Sequence, residues 1–406
     1  MMKKTMTGVA VALMMVGCNS STNNEAPFVV CPPTGLELTR GEQELVSSNN
    51  DFAFNLFRQV AKADESQIIS PISITYALGM LNNGAAGQTQ QQINQVLGFT
   101  DADAVNSFCQ KMLVLAPQLD AQTKLLIANN IYVNKDYVLY PEFVKKANDY
   151  YFAQPETRDF HDGKTMDVIN QWASDHTEQM IDEVLDEKSF SPDAASYLLN
   201  AIYFKGEWSS KFDKQNTQQE PFGNTDQQVP MMRQEGSFLY TANEDCQVLQ
   251  LPYGSGLYTM TVLLPNEGKA VSDILQGMTA ERWKQLNAKM ADVTVEVKLP
   301  RFETKADIDL KDVMADLGMP DAFSPAKAEF PNFCSKPTYI DLMKQVARIK
   351  VNEEGSEAAA VTVIGMNDAS VGQCFHYTFF ATHPFLYVIS EQSTGAIFFV
   401  GQYTGK

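Results

Sequence analysis

Residues 350–373 read KVNEEGSEAAAVTVIGMNDASVGQ, and whether this stretch is helix or strand decides what kind of fold the chain can have. Ser356 is a good helix N-cap, and Ala358, Ala359 and Ala360 are the best helix formers, so a helix could begin near Gly355. The next four residues exclude it. Val361, Thr362, Val363 and Ile364 are all β-branched, a run that loses rotamer freedom in a helix and suits a strand. With a period of two, Ser356, Ala358, Ala360, Thr362 and Ile364 share one face, while Glu357, Ala359, Val361 and Val363 share the other. The first face is uncharged and built mostly of small side chains. A strand so patterned can slide between two existing strands without burying a charge.

Other stretches supply strands for it to enter. LLIANNIYV (125–133), SYLLNAIYF (196–204), LYTMTVLLP (257–265), VTVEVKLPRF (293–302) and AIFFVGQY (396–403) are short, rich in β-branched and aromatic residues, and bounded by Gly, Pro or Asn. The continuous apolar runs predict strands covered on both faces, whereas VTVEVKL alternates and predicts one exposed face. From Asn49 to Leu97, by contrast, apolar residues recur at helical spacing, with Ser70-Pro71-Ile72-Ser73 as a helix start. An α+β domain built on large sheets is expected. Residues 36–406 contain no linker-like segment and no internal repeat, which predicts one domain.

The N-terminus begins MMKKTMTGVAVALMMVGC, where Lys3 and Lys4 precede an apolar run too short to span a bilayer. Residues 1–17 read as a secretion signal. Gly17-Cys18 resembles the bacterial lipobox, in which Cys18 is lipidated and becomes the mature N-terminus, and residues 18–35 then form a polar tether. Membrane contact is expected only through that anchor, which predicts an envelope location, at the outer membrane or cell surface.

With 31 Lys and Arg against 49 Asp and Glu, the net charge is −18, which repels phosphate backbones and sulfated polysaccharides. Neither nucleic acid nor a heparin-type polyanion is expected as a partner. The six cysteines, at 18, 31, 109, 246, 334 and 374, form no CxxC pair and lie at no ligand spacing with His, so no metal or other cofactor is expected. Without Cys18, five remain, which permits at most two internal disulfides.

For an enzyme the sequence offers little. It contains no G-x-S-x-G elbow, H-E-x-x-H, P-loop or S-x-x-K. The histidines stand at 161, 176, 376 and 383; Asp159-Phe160-His161-Asp162 reads as a solvated turn, and a hydrolase using His161 or His176 is the weaker alternative.

ISPISITYALGMLNNGAAGQT (69–89), LLNAIYFKGEWSSKFDKQNT (198–217), VPMM (229–232), LQLPYG (249–254) and HPFLYVISEQSTGAIFFVGQY (383–403) together resemble the serpins, in sequence order and at family-like spacing. Thr382 departs from the family's usual Asp, Asn or Gln before the His-Pro-Phe-like element. The resemblance implies the serpin fold: a large, mostly antiparallel central sheet, further sheets, a bundle of helices and an exposed reactive loop. It also implies inhibition of serine proteases by suicide trapping, with no catalytic residues in this chain and a monomeric state.

Within that resemblance, Glu353, Glu354, Gly355, Ser356, Glu357, Ala358, Ala359 and Ala360 correspond to the hinge of a bait loop spanning about 353–384, exposed from about Gly355 to Pro384. Family spacing from Glu353 places the scissile bond at Ala369-Ser370, with cleavage after Asp368 or near Met366 as alternatives. An Ala at that position suits elastase-like or subtilisin-like proteases, with papain-like cysteine proteases as further candidates. No Arg or Lys lies between Glu353 and Pro384, which disfavours trypsin-like targets. Trp208 matches the point where the sheet opens, and Arg301 with Glu353 a charge pair across that opening, expected to be worth little if exposed. Ser70, Ser73 and Asn200 match polar residues beneath the sheet's centre, where Gln345 replaces the family's frequent His. A non-inhibitory serpin, acting as a binding or structural protein, is the alternative within the family.

Overall fold

The structure is a computed structural model and describes residues 34–99, 101–223, 227–356 and 376–406. The helical first part runs α1 (Arg40–Val60), β1 (Gln67–Ile69), α2 (Pro71–Asn82), α3 (Gly87–Leu97) and α4 (Ala102–Leu115). Next come β2 (Thr123–Asn134), α5 (Pro141–Tyr151), β3 (Glu156–Arg158), α6 (Thr165–His176), β4 (Ser196–Glu207), β5 (Gln218–Pro221), β6 (Gln228–Ala242), β7 (Cys246–Tyr253) and β8 (Tyr258–Pro265). The remainder is α7 (Val271–Gln276), α8 (Ala280–Ala288), β9 (Ala291–Pro300), β10 (Phe302–Asp309), α9 (Lys311–Leu317), β11 (Leu342–Asn352), β12 (Gly355–Ser356), β13 (His376–Phe380), β14 (Phe385–Glu391) and β15 (Ile397–Tyr403). This is the expected serpin-type α+β architecture.

Local chemistry explains the framework. Thr39 caps α1 through a reciprocal exchange: its hydroxyl accepts from the Glu42 amide, while the Glu42 carboxylate accepts from the Thr39 amide at 2.7 Å. Pro71 starts α2, where its missing N–H costs nothing, and every residue of that helix is buried. α2 lies under the six-stranded sheet, whose strand order is β10-β11-β12-β4-β2-β3. On the opposite face Ile169 and Ala173 of α6 pack with Leu199 and Ala201 of β4 and Val346 of β11. That double cover accounts for the unbroken apolar run of β4. A nine-stranded sheet, ordered β1-β15-β14-β8-β7-β6-β9-β13 with β5 on β6, forms the rest of the core.

The key register lies in the six-stranded sheet. β4 and β11 pair directly and in parallel from Tyr197↔Leu342 to Tyr203↔Arg348. Beyond that point β12 occupies the space between them, with Ser356 opposite Gly206 and Val351, and Gly355 opposite Glu207 and Asn352. The expectation of an exposed loop from Gly355 to Pro384 is therefore corrected at both ends. Gly355 and Ser356 are already buried in the sheet, and His376–Phe380 form β13, a parallel strand on β9. A Gly-Ser pair fits equally well outside a sheet or within one, so the sequence pattern did not separate the two states.

Cys109, Cys246 and Cys334 are buried free thiols; Cys18, Cys31 and Cys374 lie outside the described residues. Burial pushes the Cys246 thiol up to about 11 and drives those of Cys109 and Cys334 upward as well, disfavouring the reactive thiolate. In the folded chain at about pH 8, where an exposed thiol is substantially ionised, these three should resist alkylation and react only in denaturant. Mass-spectrometric mapping checks this; labelling of Cys109 in the native state at a free-thiol rate would contradict the packing.

Candidate functional site

The site is the mouth of the lane between β4 and β11. Ser356 is 0% exposed, and its hydroxyl lies 2.8 Å from the equally buried hydroxyl of Tyr253. The Tyr253 ring stacks on Trp208 with centroids 4.4 Å apart and an interplanar angle of 11°. Trp208 in turn donates its indole N–H to the Asn352 carbonyl at 2.9 Å, while its backbone amide bonds the Glu354 carbonyl at 2.9 Å. The aromatic pair thus touches both ends of the turn that leads from β11 into β12.

Glycine is required at this turn. Gly355 has φ +145, and a Cβ there would sit 2.1 Å from the Gly206 carbonyl oxygen and 2.6 Å from the Glu207 Cα. Gly206 serves the same close approach from the other side, since a Cβ on it would lie 2.9 Å from the Tyr253 ring.

Two carboxylates hold the turn. Glu353, 2% exposed, accepts from Arg301 at 3.1 Å through Nε, from a second guanidinium nitrogen, and from the Thr217 hydroxyl at 2.7 Å. Burial raises the Glu353 carboxyl, but the hydrogen bonds from Arg301 and Thr217 outweigh it and hold the group below the ordinary glutamate range. The expected charge pair is present, and it is a bidentate contact to a buried carboxylate rather than an exposed pair, although Arg301 itself keeps 45% of its side chain exposed. Glu354 pairs with Lys214 at 2.8 Å and Lys211 at 3.1 Å, and the Lys214 contact leads in lowering its carboxyl pKa.

Farther down the lane, the polar residues read from the sequence come together. The Gln345 side chain accepts from the Ser70 amide at 2.9 Å and donates to the Ser70 carbonyl at 3.1 Å and the Asn200 side-chain oxygen at 2.6 Å. Asn200 donates to the Ser73 hydroxyl and to Asn129 at 2.7 Å. The Gln345–Asn200 bond spans the seam between β11 and β4, so it cannot persist once a strand lies between them. Having an amide in place of an imidazole, this cluster has no titrating group near neutral pH.

Tyr253, Thr217, Lys211, Lys214 and Asn129 were not singled out by the sequence. Asn129 carried a signal, as part of an Asn pair inside the apolar run 125–133; Tyr253 carried one only as a residue of LQLPYG. Glu357, Ala358, Ala359, Ala360, Ala369, Ser370 and Cys18 lie outside the described residues. The hydrolase alternative offered His161 or His176, and the two have different surroundings. His161 lies 3.9 and 3.7 Å from the carboxylates of Asp159 and Asp193, while the His176 Nδ1 sits 2.7 Å from the Trp172 carbonyl of its own helix.

The family model described as Serpin (serine protease inhibitor) matches residues 47–405. Serpin B3 of Homo sapiens is 34% identical over 391 residues, covering 89% of this chain and 99% of that protein. Among solved structures, the thermophilic serpin tengpin in its native state superposes with a TM-score of 0.84 at 27% identity, over 91% of this chain and 96% of that one. Human thyroxine-binding globulin complexed with thyroxine gives a TM-score of 0.81 at 26% identity, over 89% of this chain and 98% of that one. A match over most of the length, a fold shared with these structures and the expected motifs in order lead to one conclusion: the chain belongs to the serpin family.

Proposed function

We propose that this serpin inhibits serine proteases by acting as a suicide substrate. The fold alone does not decide the matter, since thyroxine-binding globulin shares it. The observation that carries the reading is the hinge: an uncharged Gly355-Ser356 strand already seated between β4 and β11, leading into the small residues Ala358, Ala359 and Ala360. A protease serine attacks the Ala369 carbonyl of the bait loop, the Ala369-Ser370 amide bond breaks with Ser370 leaving as a new amino terminus, and Ala369 stays on the protease as an acyl-enzyme. The catalytic residues are the protease's own. Before water completes hydrolysis, the cut strand continues into the lane and carries the bound protease with it.

The register makes this concrete. Each further residue of the entering strand pairs one residue earlier on β4, so Ala358 would come opposite Phe204, Ala360 opposite Ile202 and Thr362 opposite Asn200. Small side chains thus meet large ones, and a hydroxyl arrives where the Gln345–Asn200 bond has been broken. With Ser356 already in place, the stretch from Glu357 to Ala369 adds about 13 residues, which at ~3.3 Å each give roughly 43 Å of further travel.

Elastase-like and subtilisin-like enzymes are the favoured targets, with papain-like cysteine proteases as further candidates. Cys18 would tether the inhibitor to the bacterial envelope as a lipoprotein, and a monomer suffices for the mechanism. The test mixes the soluble form, beginning after Cys18, with an elastase. A complex that survives denaturing electrophoresis, together with a released peptide beginning at Ser370, is expected. Clean cleavage without a complex across a panel of proteases would favour the non-inhibitory alternative instead.

A further inference from the structure

Tyr253 belongs to the nine-stranded sheet, yet its hydroxyl meets a residue of the six-stranded one. Its position is fixed from several sides. The ring stacks on Trp208, meets Phe204 edge-on with centroids 5.1 Å apart, and covers Gly206, where no Cβ would fit. The backbones are tied as well: Ser209 donates to the Pro252 carbonyl at 2.9 Å and Gly254 to the Glu207 carbonyl at 2.8 Å. The top of β4 is therefore anchored to the end of β7, and the Tyr253 hydroxyl is held facing the spot where a strand between β4 and β11 must start. Ser356 occupies that spot and gives the buried phenol its hydrogen bond.

We propose that Tyr253 is a positioning residue that docks Ser356 before any cleavage, so that the trapping strand is nucleated in advance. The proposal rests on the inhibitory reading above and adds a determinant of its efficiency. Starting a strand between two paired neighbours means parting them and fixing several residues for the first hydrogen bonds, whereas extending one adds bonds residue by residue. In this chain the parting has already been done beyond Tyr203 and Arg348. After the cut, only extension remains, and extension competes with hydrolysis of the acyl-enzyme. Losing the Tyr253–Ser356 bond returns the nucleation step to the interval after cleavage, when it is most harmful. More of the inhibitor is then consumed as plain substrate, while access of the protease to the uncut loop is not reduced.

The experiment compares wild type, Tyr253→Phe, Ser356→Ala and the double variant, read by hydrogen exchange of the peptide containing Gly355 and Ser356 and by the number of inhibitor molecules consumed per protease trapped. Tyr253→Phe keeps the ring and its stacking and removes only the hydroxyl. It is expected to speed hinge exchange by about tenfold, the scale of one ordinary hydrogen bond, and to raise the number consumed without lowering the association rate. Ser356→Ala should do the same, and the double variant should add little to either, because one bond cannot be lost twice. Hinge exchange and consumption equal to wild type in Tyr253→Phe would overturn the proposal, as would fully additive effects in the double variant. If the wild type traps no protease at all, the inhibitory reading fails, and the exchange comparison still decides whether Tyr253 docks the hinge.

Discussion

Ser356→Arg is expected to leave the bait loop cleavable while abolishing the trapped complex. Ser356 has no exposed surface, and its side chain points at the Tyr253 hydroxyl between the backbones of Gly206 and Val351. A guanidinium placed there has no unpaired carboxylate to meet among the described neighbours: Glu207, Glu353 and Glu354 are already engaged by Lys211, Arg301 and Lys214. Burying an unpaired charge costs several kcal/mol, whereas withdrawing two residues of β12 into water costs only their strand contacts, so the hinge should leave the sheet and the rest of the fold should stand. After cleavage the same charge blocks entry. At 1.4 kcal/mol per factor of ten, even a ~3 kcal/mol obstacle slows insertion roughly hundredfold, and acyl-enzyme hydrolysis then wins. Denaturing gels should show complete cleavage and no complex for Ser356→Arg, and normal trapping for Ser356→Thr, which keeps the hydroxyl. Normal trapping by the arginine variant would sink the insertion mechanism.

Much of this site was legible because local patterns encode it. The doubly covered β4 and the uncharged Gly355-Ser356 start of the hinge are written in relations between neighbouring residues, while the β-branched run after Ala360 lies outside the described residues. The helical spacing of residues 74–82 was also legible, but the full burial of α2 was not, because it depends on the sheet laid over that helix. What escaped were the contacts between distant segments. Ser356 meets Tyr253 across 103 positions, Glu353 meets Thr217 across 136, and Asn200 meets Asn129 across 71. Each of these residues is an ordinary polar side chain in its own neighbourhood, and only the register of the six-stranded sheet brings it to its partner. The same limit explains the misplaced start of the exposed loop. Whether two residues lie inside a sheet or beside it depends on what the sheet offers at that point, here a tyrosine hydroxyl and a pair of glycines.

The carboxylate clamp leads to the other large effect, a change in the pH dependence of stability in Arg301→Ala. In the native chain the Glu353 carboxyl is raised by burial but lowered more by Arg301 and Thr217, so its folded pKa lies below the unfolded value of 4.5. A depressed folded pKa contributes stability that is present in full above 4.5 and is lost as pH falls through the folded value. Without Arg301, burial is opposed by Thr217 and the local backbone alone, and the folded pKa should rise above the unfolded one. The contribution then reverses: it is present in full below the unfolded pKa and is lost as pH rises through the folded pKa. At neutral pH the variant should be destabilised by about 2–3 kcal/mol, below the ~3–5 typical of breaking a fully buried pair because Arg301 is half in water, and above the ~1 or less of an exposed pair. Arg301→Lys should fall between, since an ammonium cannot reproduce the bidentate contact. The measurement is the thermal midpoint of the uncleaved chain from about pH 7 down to about pH 4, the range over which a raised carboxyl takes up its proton. The gap between wild type and Arg301→Ala should narrow steadily as the pH is lowered. A gap that stays constant over that range would mean that the arginine stabilises the hinge through packing of its alkyl chain rather than through the charge on Glu353.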